Sequence, residues 1–154
     1  MRFWVAQGTR RQTEGINLLF SFAAFARHND RMDLGWKKLC VLASGEVERT
    51  LAALPAPLRE RAKELPVTLE QIPNAGLQAD GIDPDTLGLF TGAEFAEEGS
   101  VPMPPQIILF LENLWDLAGD DERAFCKEVQ TTFLHELGHY LGLDEDELTE
   151  RGLE

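Results

Sequence analysis

What the 154-residue chain has little of narrows its reading before any motif does. Its two cysteines, Cys40 and Cys126, are too few for the disulfide framework of a small secreted domain, and the count fits a reducing compartment. No run approaches the eighteen or more apolar residues of a membrane-spanning helix, so no membrane partner is expected. Positive charge is scarce: 14 Lys and Arg stand against 27 Asp and Glu, a net charge of −13 that argues against nucleic acid as a partner. There is no internal repeat and no low-complexity tract. What remains is a soluble globular chain of one-domain size, with 44% hydrophobic residues to build a core.

The charge is unevenly spread. Residues 1–31 carry five arginines against Glu14 and Asp30, a net of +3, which leaves −16 on the rest. A composition boundary near Met32 therefore separates a basic N-terminal extension, 1–31, from a single domain, 32–154. The leading segment has Arg10-Arg11, a mostly apolar run from Ile16 to Ala26, and small residues at Ala24 and Ala26, the outline of a secretory signal peptide. Glu14 and Gly15 sit where its apolar core would begin, so a cytoplasmic location is the expectation and export the alternative. The acidity of the remainder reads either as a solvated surface or as a preference for basic peptides.

Apolar periodicity predicts a helix over Leu34–Leu54, with Cys40, Val47, Leu51 and Leu54 on its inward face, and a second, short one over Leu58–Leu65. Val67–Ile72 alternates as a half-buried strand does, Asn74–Asp85 reads as a loop, and Thr86–Thr91 reads as a strand weakened by Gly88. Gly92–Pro105 is a long acidic loop and Gln106–Leu111 a buried strand. Glu112–Ala118 is a short helix ended by Gly119, after which Asp120 or Asp121 caps another. In that helix Phe125, Val129, Phe133 and Leu137 form the core-facing stripe, and Gly142 stops it. Strands and helices are grouped rather than alternating, so the class is α+β.

Two of the three histidines lie in one short motif on this helix, His135-Glu136-x-x-His139. Helical geometry puts His139 about 40° and Glu136 about 100° around from His135, so all three share one arc. Two imidazoles one turn apart can hold one metal ion, and a neighbouring carboxylate can serve as base for water activated there. With equal odds for all residue types, three fixed letters recur about once in 8,000 positions, a chance near 2% in a chain this short. The competing reading is an amphipathic helix with two surface histidines and no metal. Cys126 lies about 180° from His135 and belongs to the core rather than the site. Tyr140, the only tyrosine, is read as packing, and His28 is given no role.

A catalytic zinc takes three protein ligands and keeps one position open. Only twelve residues follow Gly142, too few for a second full ligand-bearing helix, so a third ligand close in sequence is favoured. The candidates are Asp144, Glu145, Asp146 and Glu147. Glu145 comes first, because a turn at Gly142 can swing it back towards the metal. The ordinary reading of this acidic run is a solvated turn.

On these residues the chain resembles the small bacterial zincin-like metallopeptidase family, a minimal zincin fold, from about Val47 to Glu154. The resemblance rests on L-A-A-L-P at 51–55, D-x-L-G-L-F-x-G at 85–92, P-P-Q-I-I-L-F at 104–110, and H-E-L-G-H-Y-L-G-L-D-E at 135–145. It implies a small mixed β-sheet packed on two or three helices, with the metal motif on a long C-terminal helix. It also implies His135, His139 and Glu145 as ligands of one Zn2+ ion, Glu136 as general base, and a peptide or protein substrate lying beside a sheet-edge strand. Two departures stand out: no methionine follows Met103 to make the methionine turn of metzincins, and no downstream helix offers the ligand of gluzincins. The expected function is a zinc-dependent metallopeptidase. The alternatives are a non-catalytic metal-binding interaction module and a metal-free structural domain.

Overall fold

Two strands buried along nearly their whole length, 86–91 and 106–110, take the two inner places of the sheet. The computed structural model describes residues 4–7, 23–92 and 104–150. In chain order its elements are β1 (Trp4–Gln7), α1 (Ala23–Ala53), α2 (Ala56–Ala62), β2 (Val67–Glu70), α3 (Ala75–Ala79), β3 (Thr86–Thr91), β4 (Gln106–Phe110), α4 (Leu111–Leu117), α5 (Glu122–Tyr140) and α6 (Glu145–Glu150). The sheet order is β1-β3-β4-β2. β1 and β4 run antiparallel to β3, while β2 pairs parallel with β4. The fold is α+β, with a small mixed sheet packed against helices and the histidine motif on α5, the longest helix after α1.

Alternation along β4 explains why the sheet is covered twice. Ile107 and Leu109 join Phe90 and the helices in the main core, whereas Ile108 and Phe110 turn to the other face with Leu89 and Ile82. Helix α5 lies over the first face through Phe125, Val129, Phe133 and Leu137, all buried, as the four-residue stripe requires. Burying each of these apolar side chains contributes about 1.5–3 kcal/mol. α1 and α4 pack against α5 and complete the core.

Three local expectations change. The segment 74–85 is not all loop: Asn74 caps the short helix α3, its side chain accepting from the amides of Gly76 and Leu77 at 3.0 and 3.1 Å. The inward face of α1 centres on Ala43, Glu46, Val47 and Thr50, with Cys40, Leu51 and Leu54 only partly buried at its margin. Two polar residues on that face hid it from a purely apolar count. Finally, α1 begins at Ala23 and so runs through the composition boundary near Met32, and β1 places residues 4–7 in the sheet.

Most of the acidic loop between Gly92 and Pro105 lies outside the described residues. So does much of the apolar run that starts at Ile16, together with the side chains of His28 and Glu145. No helix among the described residues is long and apolar enough to cross a membrane.

Candidate metal centre

The helix that carries the motif is fixed at both ends by its sequence. At the start, Asp121 accepts a hydrogen bond from the Ala124 amide at 2.7 Å, and Glu122 sits in the positive first turn. At the end, Gly142 takes φ 85°, a left-handed conformation that costs a side-chain-bearing residue energy. The amides of Gly142 and Leu143 then donate to the carbonyls of His139 and Gly138, both at 3.0 Å, closing a Schellman motif.

That turn brings the Leu143 carbonyl back over the last helical turn, where it lies 3.1 Å from His139 Nδ1. With Nδ1 donating to this carbonyl, Nε2 of His139 keeps its lone pair for another partner. The Nε2 atoms of His135 and His139 are 2.9 Å apart, and their rings meet edge to face at 4.6 Å. Both rings are buried, His139 completely. Burial, then the neighbouring His135, lower the His139 pKa to about 4 against an ordinary 6.5, and the Leu143 contact opposes this in part. At neutral pH His139 is therefore an uncharged imidazole, the form that binds metal.

Glu136 points from the same helix to β3. It is completely buried, and its Oε2 accepts from the Phe90 amide at 2.7 Å. Gly88 makes this approach possible. A methyl group there would lie 2.5 Å from Thr132 Cγ2 and 3.0 Å from both Cγ and Oε1 of Glu136. Tyr140 is buried and packs its ring against Phe90 at 5.9 Å, while Cys126 is partly buried at the edge of the main core.

The structure thus brings His135 and His139 together and turns the Glu136 carboxylate to the Phe90 amide. It spreads the acidic run that follows. Asp144 and Glu147 cap α6 reciprocally: the Glu147 amide donates to Asp144 Oδ1 at 2.9 Å, and the Asp144 amide to Glu147 Oε2 at 3.1 Å. Asp146 is exposed, and Glu145 opens α6. Among the described residues no three His, Cys, Asp or Glu side chains converge on one point.

Sequence reasoning missed two partners of the site, the Phe90 amide and the Leu143 carbonyl. Both are backbone groups, which carry no signature of their own. The available signal was Gly88, since a glycine inside a strand often marks a close approach.

The donors present fit a zinc ion. Zinc–nitrogen bonds of ordinary length at a tetrahedral angle hold two nitrogens about 3.3 Å apart, close to the separation seen here. One ring is already fixed through its second nitrogen, as ligating histidines are.

No curated protein matches the chain. The model of a family described as zincin-like metallopeptidase matches residues 62–153, more than half of the sequence and all of the histidine motif, and a metal, typically zinc, goes with that family. On that match, the chain belongs to the zincin-like metallopeptidase family.

Proposed function

We propose that the protein is a zinc-dependent peptidase in which His135, His139 and Glu145 hold one zinc ion and Glu136 is the general base. The observation that carries this reading is the pair of imidazole nitrogens 2.9 Å apart beside a fully buried carboxylate. A metal held only for structure needs no base, and burying a carboxylate without a purpose is costly. Glu145 is favoured as third ligand because Asp144 and Glu147 are engaged with each other's amides at the start of α6 and Asp146 faces solvent.

The chemistry supplied at such a site by bound zinc is acidification of water and polarisation of a peptide carbonyl. The chain's own groups do the rest. Leu143 holds the His139 ring in the tautomer that presents Nε2. The Phe90 amide anchors one carboxylate oxygen of Glu136, so the group keeps its direction while it takes a proton from attacking water and returns one to the departing amine. Gly88 gives that carboxylate its place against β3.

Metal content and a broad peptide-cleavage screen, run on the wild type and on Glu136→Gln, test the proposal. The wild type binds one zinc and cleaves. Glu136→Gln keeps the zinc and loses about 10²- to 10⁴-fold in rate, the usual contribution of a positioned base. Glu145→Ala loses zinc affinity. Unchanged cleavage by Glu136→Gln refutes the role of Glu136, and one bound zinc with no cleavage by the wild type replaces the peptidase with a metal-holding module.

A further inference from the structure

β1 sits in a place with consequences for the site. Its register sets Trp4 opposite Phe90, Val5 opposite Leu89 and Ala6 opposite Gly88. Gly88 to Phe90 is the stretch of β3 that Glu136 lies against, through the missing side chain of one and the amide of the other. Helix α5 also packs on β1. Any extended chain paired to β3 at this edge therefore has its backbone beside Glu136.

The pairing itself is short and irregular at one end. β1 is four residues long, shorter than a typical strand, and its register shifts between Ala6 and Gln7. β3 does not depend on it, because β3 is paired along its other side with β4 and covered by α5. A short edge strand whose neighbour is held without it opens at low free energy. Charge works the other way, towards docking: the segment that carries β1, residues 1–31, is net +3 and the rest of the chain −16.

We propose that β1 is the chain's own occupant of the β3 edge, an internal competitor that must leave before a basic peptide can pair there beside Glu136. Recognition is by main-chain hydrogen bonds along the strand, with charge selecting basic sequences. The consequence for turnover rests on the peptidase reading; the docking itself does not.

The probe is a fluorescein-labelled synthetic peptide with the sequence of residues 1–12, titrated into the zinc-loaded full-length Glu136→Gln chain, which binds without cutting. Val5→Pro/Ala6→Pro is then added to that chain. Successive amides of a strand point to opposite sides, so one of the two prolines must remove a bond to β3. The proline chain is expected to bind the peptide at least tenfold more tightly than its parent. Equal affinity, or no binding by either, overturns the proposal.

Amide hydrogen exchange on the chain without prolines gives a second reading that no folding defect can confuse. Saturating peptide should strip protection from Trp4–Gln7 while β3 and β4 keep theirs. Peptide bound with β1 protection unchanged also overturns the proposal. With Glu136 intact, the proline chain should cleave a basic peptide several-fold faster. Tighter binding with no cleavage by any chain leaves the docking site standing and removes the peptidase. Cleavage by the wild type with no gain in binding or rate from the prolines does the reverse.

Discussion

From Phe125 to Phe133, helix α5 buries aromatic and aliphatic side chains; from His135 to His139 it buries two imidazoles and a carboxylate at the same depth. The first stretch gains free energy wherever it meets another apolar surface, and small shifts in packing are tolerated. The second gains nothing from burial alone, because polar groups taken from water must find partners. Its partners come from outside the helix: the Phe90 amide of β3 for Glu136, and the Leu143 carbonyl of the terminal turn for His139. Stability is therefore concentrated in one half of the helix and chemistry in the other, and substitutions should separate them.

The largest expected effect falls in the first half. Phe133 is 1% exposed, and Phe133→Ala removes a ring from the main core, so unfolding stability should drop by about 3–5 kcal/mol. Urea denaturation measures this. At temperatures where the variant is still folded it should bind zinc with wild-type stoichiometry. Loss of zinc by the folded variant would show that the two halves are not separable.

The second half should respond to pH. The folded chain holds His139 near pKa 4, whereas the unfolded chain titrates near the ordinary 6.5. Between these values the unfolded state binds a proton that the folded state refuses, so stability rises with pH across that window. Protein freed of metal with a chelator should be most stable above pH 6.5 and lose stability progressively down to about pH 4, by roughly 3–4 kcal/mol at most from this group. His139→Gln should flatten the profile in that window. A profile identical to the wild type excludes His139 as its source.

Most of the frame that carries the site was legible because its signals are local. β4 shows as an apolar run and β3 as a strand weakened by Gly88, and α5 is bounded by Asp121 and Gly142 with a four-residue stripe between them. The motif itself needed only helical spacing. Other features depend on distant partners. The parallel pairing of β2 with β4 is fixed by packing between residues 40 apart in sequence, from Val67 paired with Ile107 at one end to Glu70 paired with Phe110 at the other. Helix α3 was hidden because Gly76 lowers its propensity, although Asn74 was a cap in plain view. Gly88 was readable only as a weakness in a strand. Its use became clear once Thr132 and Glu136 were seen to fill the space.

Gly88→Ala therefore sharpens the comparison at an intermediate scale. The added methyl meets Thr132 Cγ2 at 2.5 Å, tighter than side-chain carbons pack, and the overcrowding should destabilise the chain by about 1–3 kcal/mol. Adding Thr132→Ser removes that carbon and should restore much of the stability. The 3.0 Å approach to Glu136 remains in the double variant. Peptide cleavage should therefore stay depressed while zinc binding is kept. Recovery of stability and activity together would mean that Gly88 serves packing alone.

The smallest effect is expected at Gly142, and it tests whether the terminal turn belongs with stability or with chemistry. Alanine there must adopt φ 85°, a strain of about 1 kcal/mol. Asparagine tolerates that conformation better and should cost less. Beyond this small loss, any unwinding of the turn moves the Leu143 carbonyl away from His139 Nδ1, and partners of that kind are worth about 10- to 100-fold in metal affinity. Gly142→Ala should weaken zinc binding by more than its melting temperature falls in proportion, and Gly142→Asn should recover both. If Gly142→Ala loses stability but binds zinc as the wild type does, the Leu143 carbonyl does not hold the ring. The turn would then close the helix without steering the metal ligand, and control of the second half of α5 would rest with β3 alone.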